Sequence, residues 1–137
     1  MIELDGVSKR YGSKAILHDI TFNVKPGEIV GFLGPNGAGK TTTMRLIAGF
    51  TAASAGTVRV YGHDMASEKS AAAKKIGYLP EQPPLYDVMD VTGYLKFVAK
   101  AKGLKGTRAK SEIERVIDAC RLKDAAKKDI YKLSKGY

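Results

Sequence analysis

Residues 34 to 42 run Gly34-Pro35-Asn36-Gly37-Ala38-Gly39-Lys40-Thr41-Thr42, a complete phosphate loop of the form G-x-x-x-x-G-K-[ST]. Each position meets a demand of a polyphosphate. The glycines let successive N–H groups approach phosphate oxygens without a Cβ in the way. Lys40 reaches the β and γ phosphates as a point charge, and the Thr41 hydroxyl offers one ligand to Mg²⁺. Upstream, Ile29-Val30-Gly31-Phe32-Leu33 reads as a short buried parallel strand. Downstream, Thr42 to Ala48 carries apolar residues at 44, 47 and 48, a helical spacing that ends near Gly49. Strand, loop and helix in that order point a helix N-terminus at an anion.

Farther out, the first 62 residues read as β-rich. Met1 to Val7, Ile16 to Val24 and Thr57 to Tyr61 alternate apolar and polar residues, and Pro26-Gly27 marks a turn. Ile76 to Leu79 reads as one more short strand. From about residue 91 the period becomes helical. Tyr94, Phe97, Val98 and Ala101 form one apolar face, and Ile113, Val116, Ile117 and Cys120 form a second, with a break at Gly103 to Thr107. The organisation expected is a β-rich nucleotide-binding core over 1–90 and a helical subdomain over 91–137.

Bulk properties narrow the function classes. The chain has 137 residues, 44% hydrophobic and 27% charged, enough for a packed core in one domain. No apolar run approaches the roughly 20 residues a membrane-spanning helix needs. The first residues, Met1 to Asp5, carry no signal-peptide pattern. One cysteine, Cys120, rules out an internal disulfide, fits a cytosolic setting, and is read as a packed core thiol. His18 and His63 are too isolated for a metal centre. The net charge of +9 is lopsided, with sixteen Lys/Arg against eight Asp/Glu in residues 69–137. Such a surplus marks either a solvated face or a surface for nucleic acid or anionic membrane. With no aromatic-rich basic stripe for stacking bases, nucleic acid is the less favoured partner.

Taken in order, four separated features resemble an ATP-binding cassette subunit, the ATPase component of ABC transporters. These are Tyr11 in Lys9-Arg10-Tyr11-Gly12, the phosphate loop, Gln82 in Leu79-Pro80-Glu81-Gln82-Pro83-Pro84-Leu85-Tyr86, and Leu133-Ser134-Lys135-Gly136-Tyr137. The resemblance implies an α/β, P-loop NTPase fold of ABC type. It implies that Tyr11 stacks on adenine while Gly34, Asn36, Gly37, Ala38, Gly39, Lys40, Thr41 and Thr42 hold the phosphates of ATP. Thr41 and Gln82 would serve Mg²⁺, with Lys40 and Gln82 acting in catalysis. Ser134 and Gly136, in a signature-like sequence, would bind the γ-phosphate held by a second nucleotide-binding subunit. The Pro-rich run at 79–86 and Lys135 resemble a branch associated with exporters and gliding motility. A transmembrane permease would then be the other partner, and the protein would sit at the inner face of the cell membrane.

Two departures from the family pattern stand out. Lys135 and Tyr137 replace the commoner glycine and glutamine of the signature. The family's second magnesium-site strand with its Asp, the catalytic Glu and the switch His have no counterpart in these 137 residues. The expectation is therefore an incomplete domain, inactive in hydrolysis on its own, whose segment 29–33 has an unpaired edge and an uncovered apolar face. A soluble ABC ATPase working on ribosomes or DNA, a different P-loop enzyme such as a small-molecule kinase, and a non-catalytic nucleotide-binding module are the rival readings.

Overall fold

The computed structural model describes residues 1–134 and falls into two compact units, Met1–Leu79 and Pro80–Tyr137. Ser134 is thus the last described position of the signature-like sequence; Gly136 lies outside the described residues.

The first unit is built on an antiparallel sheet in the order β2-β1-β3-β4, from β1 (Ile2–Tyr11), β2 (Lys14–Val24), β3 (Ala55–Val60) and β4 (His63–Asp64). β1 is central: Leu4 lies opposite Phe22 on one side and Val58 on the other. Strict alternation from Leu4 would send Val7 to the solvent face. A bulge intervenes, with register shifts between Leu4 and Val7 toward β2 and between Asp5 and Ser8 toward β3. The extra residue returns Val7 to the core, where it is fully buried.

The bulge sets a demand on β3. A Cβ on Gly56 would run into the carbonyl oxygens of Gly6 and Asp5, and Gly56 itself has φ +77°. Only glycine meets both conditions.

Helix α1 (Lys40–Ile47) closes the core by burying Thr43, Leu46 and Ile47, while Met44 faces solvent. Leu46 and Ile47 form one apolar cluster with Leu4, Val7, Leu17, Val58, Val60, Met65 and Ala72. Ala72 comes from a short helix, α2 (Lys69–Ala73), which periodicity does not reveal because Lys69 to Ala73 has one apolar residue type and barely one turn.

Two expected strands are absent. Residues 29–33 make no ladder; Ile29 is 101% and Leu33 93% exposed, and only Phe32 packs, its ring 5.7 Å from that of Phe22. Residues 76–79 make none either. Each has the composition of a buried strand, but the described strands form one antiparallel sheet in which neither segment takes a place. A strand exists by its neighbour's hydrogen bonds, not by its own apolarity.

The second unit contains α3 (Val91–Ala101) and α4 (Gly106–Ala119), followed by short 3₁₀ turns at Lys123–Ala125 and Ile130–Lys132. Asp90 caps α3, its Oδ1 accepting from Gly93 N–H at 2.8 Å. The approach to α3 is tied to residues 129–131: Ile130 N–H donates to Met89 O at 2.9 Å and Tyr131 N–H to Asp87 O at 3.3 Å. Tyr86, Tyr94 and Phe97 cluster, Tyr86 meeting Phe97 edge to face at 5.2 Å and 89°. Val91, Ala99, Ala125 and Ile130 are buried, but α4 contributes no buried residue. Cys120 is exposed at the end of α4, so the expectation of a packed core thiol is corrected: its helical face has the right spacing but little to pack against. Among the described residues no helix is long and apolar enough to cross a membrane.

α4 ends in a Schellman turn, with Leu122 N–H on Ile117 O at 2.8 Å and Arg121 N–H on Asp118 O at 3.1 Å. The left-handed position is taken by Arg121, at φ 54°, where an L side chain is strained. Arg121→Gly is expected to raise unfolding stability by about 1 kcal/mol, read as a shift of the denaturation midpoint. A midpoint that falls would refute the assigned turn.

Candidate nucleotide-binding site

The phosphate loop lies in the first unit between residue 33 and the first turn of α1. Its geometry starts from what α1 lacks. The N-cap is Gly39, at φ 89°, which has no side chain to satisfy the helix's first N–H groups, and the first turn carries no acidic residue. Among the described residues, the N–H groups of Gly37, Gly39, Lys40, Thr41 and Thr42 donate to no backbone carbonyl. Orphan donors at a helix start, with no competing carboxylate, suit an anion.

Lys40 closes the loop over itself. Its Nζ donates to Gly34 O at 2.6 Å and to Pro35 O at 2.7 Å, which bends the ammonium back across the space the loop encloses. An ammonium has three donors, so one remains for an oxygen arriving in the loop. Thr43, 1% exposed, pins the base of the loop by donating from Oγ1 to Gly39 O at 3.1 Å. The Thr41 side chain, by contrast, is exposed and free to reach a cation.

The floor of the loop is β2. A Cβ at position 39 would overlap Leu17 Cδ2 and approach Ile16 O to 3.4 Å. The cradle is thus shaped by close approach to a buried strand residue, and the donor set fits a polyphosphate with its cation.

The same hairpin carries Tyr11, paired with Lys14 at the end of β1 and 50% exposed. Lys9 Nζ stands 4.7 Å from the Tyr11 ring centroid and donates to Ala52 O at 2.7 Å. No motif marks Lys9; its signal in the sequence is only its place two residues before Tyr11 on the same strand face.

Gln82 and Ser134, both exposed, belong to the second unit. Gln82 sits in a bend ahead of the Tyr86 cluster. Near Ser134, Lys132 pairs with Asp129 at 2.6 Å, and that hydrogen bond raises the Lys132 pKa above its ordinary value. In the first unit, the hydrogen bond from His63 Nδ1 to Glu68 at 3.1 Å holds the Glu68 carboxyl below its usual range.

Residues 17–137 match the ABC transporter family. The linearmycin resistance ATP-binding protein LnrL of Bacillus subtilis (strain 168) is 36% identical over 136 residues, covering 99% of this chain and 44% of that protein. The Nod factor export ATP-binding protein I of Paraburkholderia xenovorans (strain LB400) is 34% identical over 135 residues, covering 98% of this chain and 44% of its own length. The ATP-binding subunit of an ABC transporter, a solved structure, superposes with a TM-score of 0.84 at 30% identity, over 98% of this chain and 56% of the other. The chain therefore spans less than half the length of these two sequence relatives. A filled phosphate loop on a β-hairpin floor, matched along the chain by proteins of one kind, makes this chain a member of the ABC transporter ATP-binding family.

Proposed function

We propose that the chain binds Mg-ATP through its first unit and that, as part of a longer subunit, it powers a membrane permease working in export. The observation that carries this is Lys40, folded back onto Gly34 O and Pro35 O above a helix start whose N–H groups are unspent. Tyr11 stacks on adenine. The N–H groups from Asn36 to Thr42 hold the phosphates, and Lys40 turns from the two carbonyls toward the β and γ oxygens. The Thr41 hydroxyl is the residue of the first unit that would hold Mg²⁺, which would supply neutralisation of the charge developing on the phosphates. Ser134 and Gly136 act on the nucleotide of a second nucleotide-binding subunit. Export is favoured by a relative named for Nod factor export. The subunit would then work at the inner face of the membrane.

Among the described residues no carboxylate pairs with the phosphate loop, so the loop has no partner there to polarise an attacking water. Loss of a general base costs on the order of 10² to 10⁴ in rate. We therefore expect the chain by itself to bind ATP without releasing phosphate above background. Calorimetric titration with Mg-ATP, with phosphate release followed in the same samples, tests both halves. No binding would overturn the assignment of the loop, and turnover would overturn the assignment of the missing base.

Lys9 is expected to act through Tyr11. Held by Ala52 O, its ammonium covers one face of the ring and leaves the other for a base. Lys9→Ala should weaken ATP binding by about 3- to 10-fold, the order of one cation–π contact, while leaving tripolyphosphate binding unchanged. Equal weakening of both ligands would mean that Lys9 supports the loop instead.

A further inference from the structure

The first unit accounts for the nucleotide, but the strongest charge feature of the molecule lies in the second. Between Asp90 and Glu112 the chain contains Lys96, Lys100, Lys102, Lys105, Arg108 and Lys110 and no acidic residue. All six are exposed, and among the described residues none forms an ion pair. Pairing is available in the same unit, where Arg115 meets Glu112 at 2.9 Å, Lys123 meets Asp118 at 2.8 Å and Lys132 meets Asp129 at 2.6 Å.

The cluster is also held in place. Lys96 and Lys100 are one turn apart on the exposed stripe of α3, and the turn to α4 is fixed by Leu104 N–H on Ala99 O at 2.9 Å and Gly103 N–H on Lys100 O at 3.0 Å. Lys105 is the N-cap of α4, whose first turn has no acidic residue. Like charges at i,i+4, and cations at a helix start, both oppose folding. Among the described residues these costs are borne without an ion pair to any of the six cations.

We propose that the α3–α4 turn is a docking surface for an anionic phospholipid membrane. Five of the six cations are lysines, compact charges that suit a diffuse layer of headgroups; base-edge reading favours the arginine fork. Phe97, 44% exposed, lies between Lys96 and Lys100 in the sequence, with Tyr86 edge-on against it. The pair makes an apolar knob beside cations, the composition of an interfacial contact, and not a row of parallel rings spaced for stacking bases. The surface stands apart from nucleotide binding: Mg-ATP titration reports on the first unit, and either property can fail without the other.

The test is co-sedimentation of the 137-residue chain with vesicles of phosphatidylcholine alone and of phosphatidylcholine mixed with phosphatidylglycerol. Binding is expected only to the mixed vesicles and should fall with added salt. Replacing Lys96, Lys100, Lys102 and Lys105 by Gln should weaken it at least tenfold, given about fivefold per basic side chain near such a surface. Replacing the same four by Arg should retain it. Circular dichroism verifies the fold of each variant. Removing four exposed cations of the first unit, by Gln at Lys14, Lys25, Lys74 and Lys75, lowers the net charge equally and should leave binding within about twofold, since none of them belongs to the proposed surface. No binding to mixed vesicles, equal loss in both Gln variants, or tighter binding to polyuridylate than to mixed vesicles at equal phosphate would each overturn the proposal.

Discussion

Gly56→Ala is expected to lower the thermal midpoint by roughly 10 °C or more, the order for a loss of about 3 kcal/mol in a small domain. Two costs add. At φ +77° an L residue occupies the left-handed region, which costs about 1 to 2 kcal/mol. Its methyl group would also meet the Gly6 and Asp5 carbonyl oxygens, and relieving overpacking of this kind costs about 1 to 3 kcal/mol. The neighbours are backbone atoms of the central strand, so they cannot swing aside as a side chain would. Moving them would disturb the bulge that returns Val7 to the core. Gly12→Ala is the internal control, because Gly12 has φ +57° with nothing within 4 Å of the added carbon. It bears the conformational cost alone and should lose about half as much. Thermal unfolding followed by circular dichroism decides the matter. Equal losses at the two positions would mean that the close approach of β3 to the bulge has no energetic weight.

Lys40→Ala is expected to raise the dissociation constant for Mg-ATP by about 10- to 100-fold, the equivalent of one hydrogen bond to a charged group at 1.5 to 3 kcal/mol. The variant loses the ammonium and also leaves Gly34 O and Pro35 O without the partner they have here at 2.6 and 2.7 Å. Lys40→Arg should not restore binding, because a planar fork cannot bend back between two carbonyls and then present a single donor to an oxygen. Tripolyphosphate should lose affinity to the same extent as ATP, since Lys40 acts on phosphate and not on the base. Calorimetry with both ligands reads this directly. A change within about twofold, inside the noise of non-additive contacts, would mean that the ammonium stays on its carbonyls and that the loop binds through backbone donors alone.

What could be read from the sequence divides along a physical line. The phosphate loop was legible because its chemistry is local: glycines, a lysine and a hydroxyl within nine residues define their own geometry. β1, β2, β3, α3 and α4 were legible because alternation and helical spacing report which face is buried. The segment at 29–33 forms no strand despite its composition, because apolarity reports a need for burial and not the presence of a partner that satisfies it. Ile76 to Leu79 failed in the same way. Cys120 has the spacing of a core position, yet α4 buries no residue. Lys9 is silent in the sequence because a cation on a strand has no motif; only the distance to the Tyr11 ring marks it. The bulge in β1 was likewise silent, since Gly6 and Gly56 are 50 positions apart and their contact is a property of packing.

The phosphate loop is flanked unequally. On one side stand α1 and the buried Leu17, and on the other a stretch from Ile29 to Leu33 that forms no ladder. A ligand that grips the loop must hold both sides, and only one of them is braced by packing in the core. Part of the contact energy would then go into ordering backbone, at about 1 to 2 kcal/mol per residue fixed. The heat of nucleotide binding should accordingly be large, opposed by an unfavourable entropy, with affinity lower than the contacts alone would suggest. Whatever pairs with residues 29–33 would act on ATP affinity without touching the nucleotide.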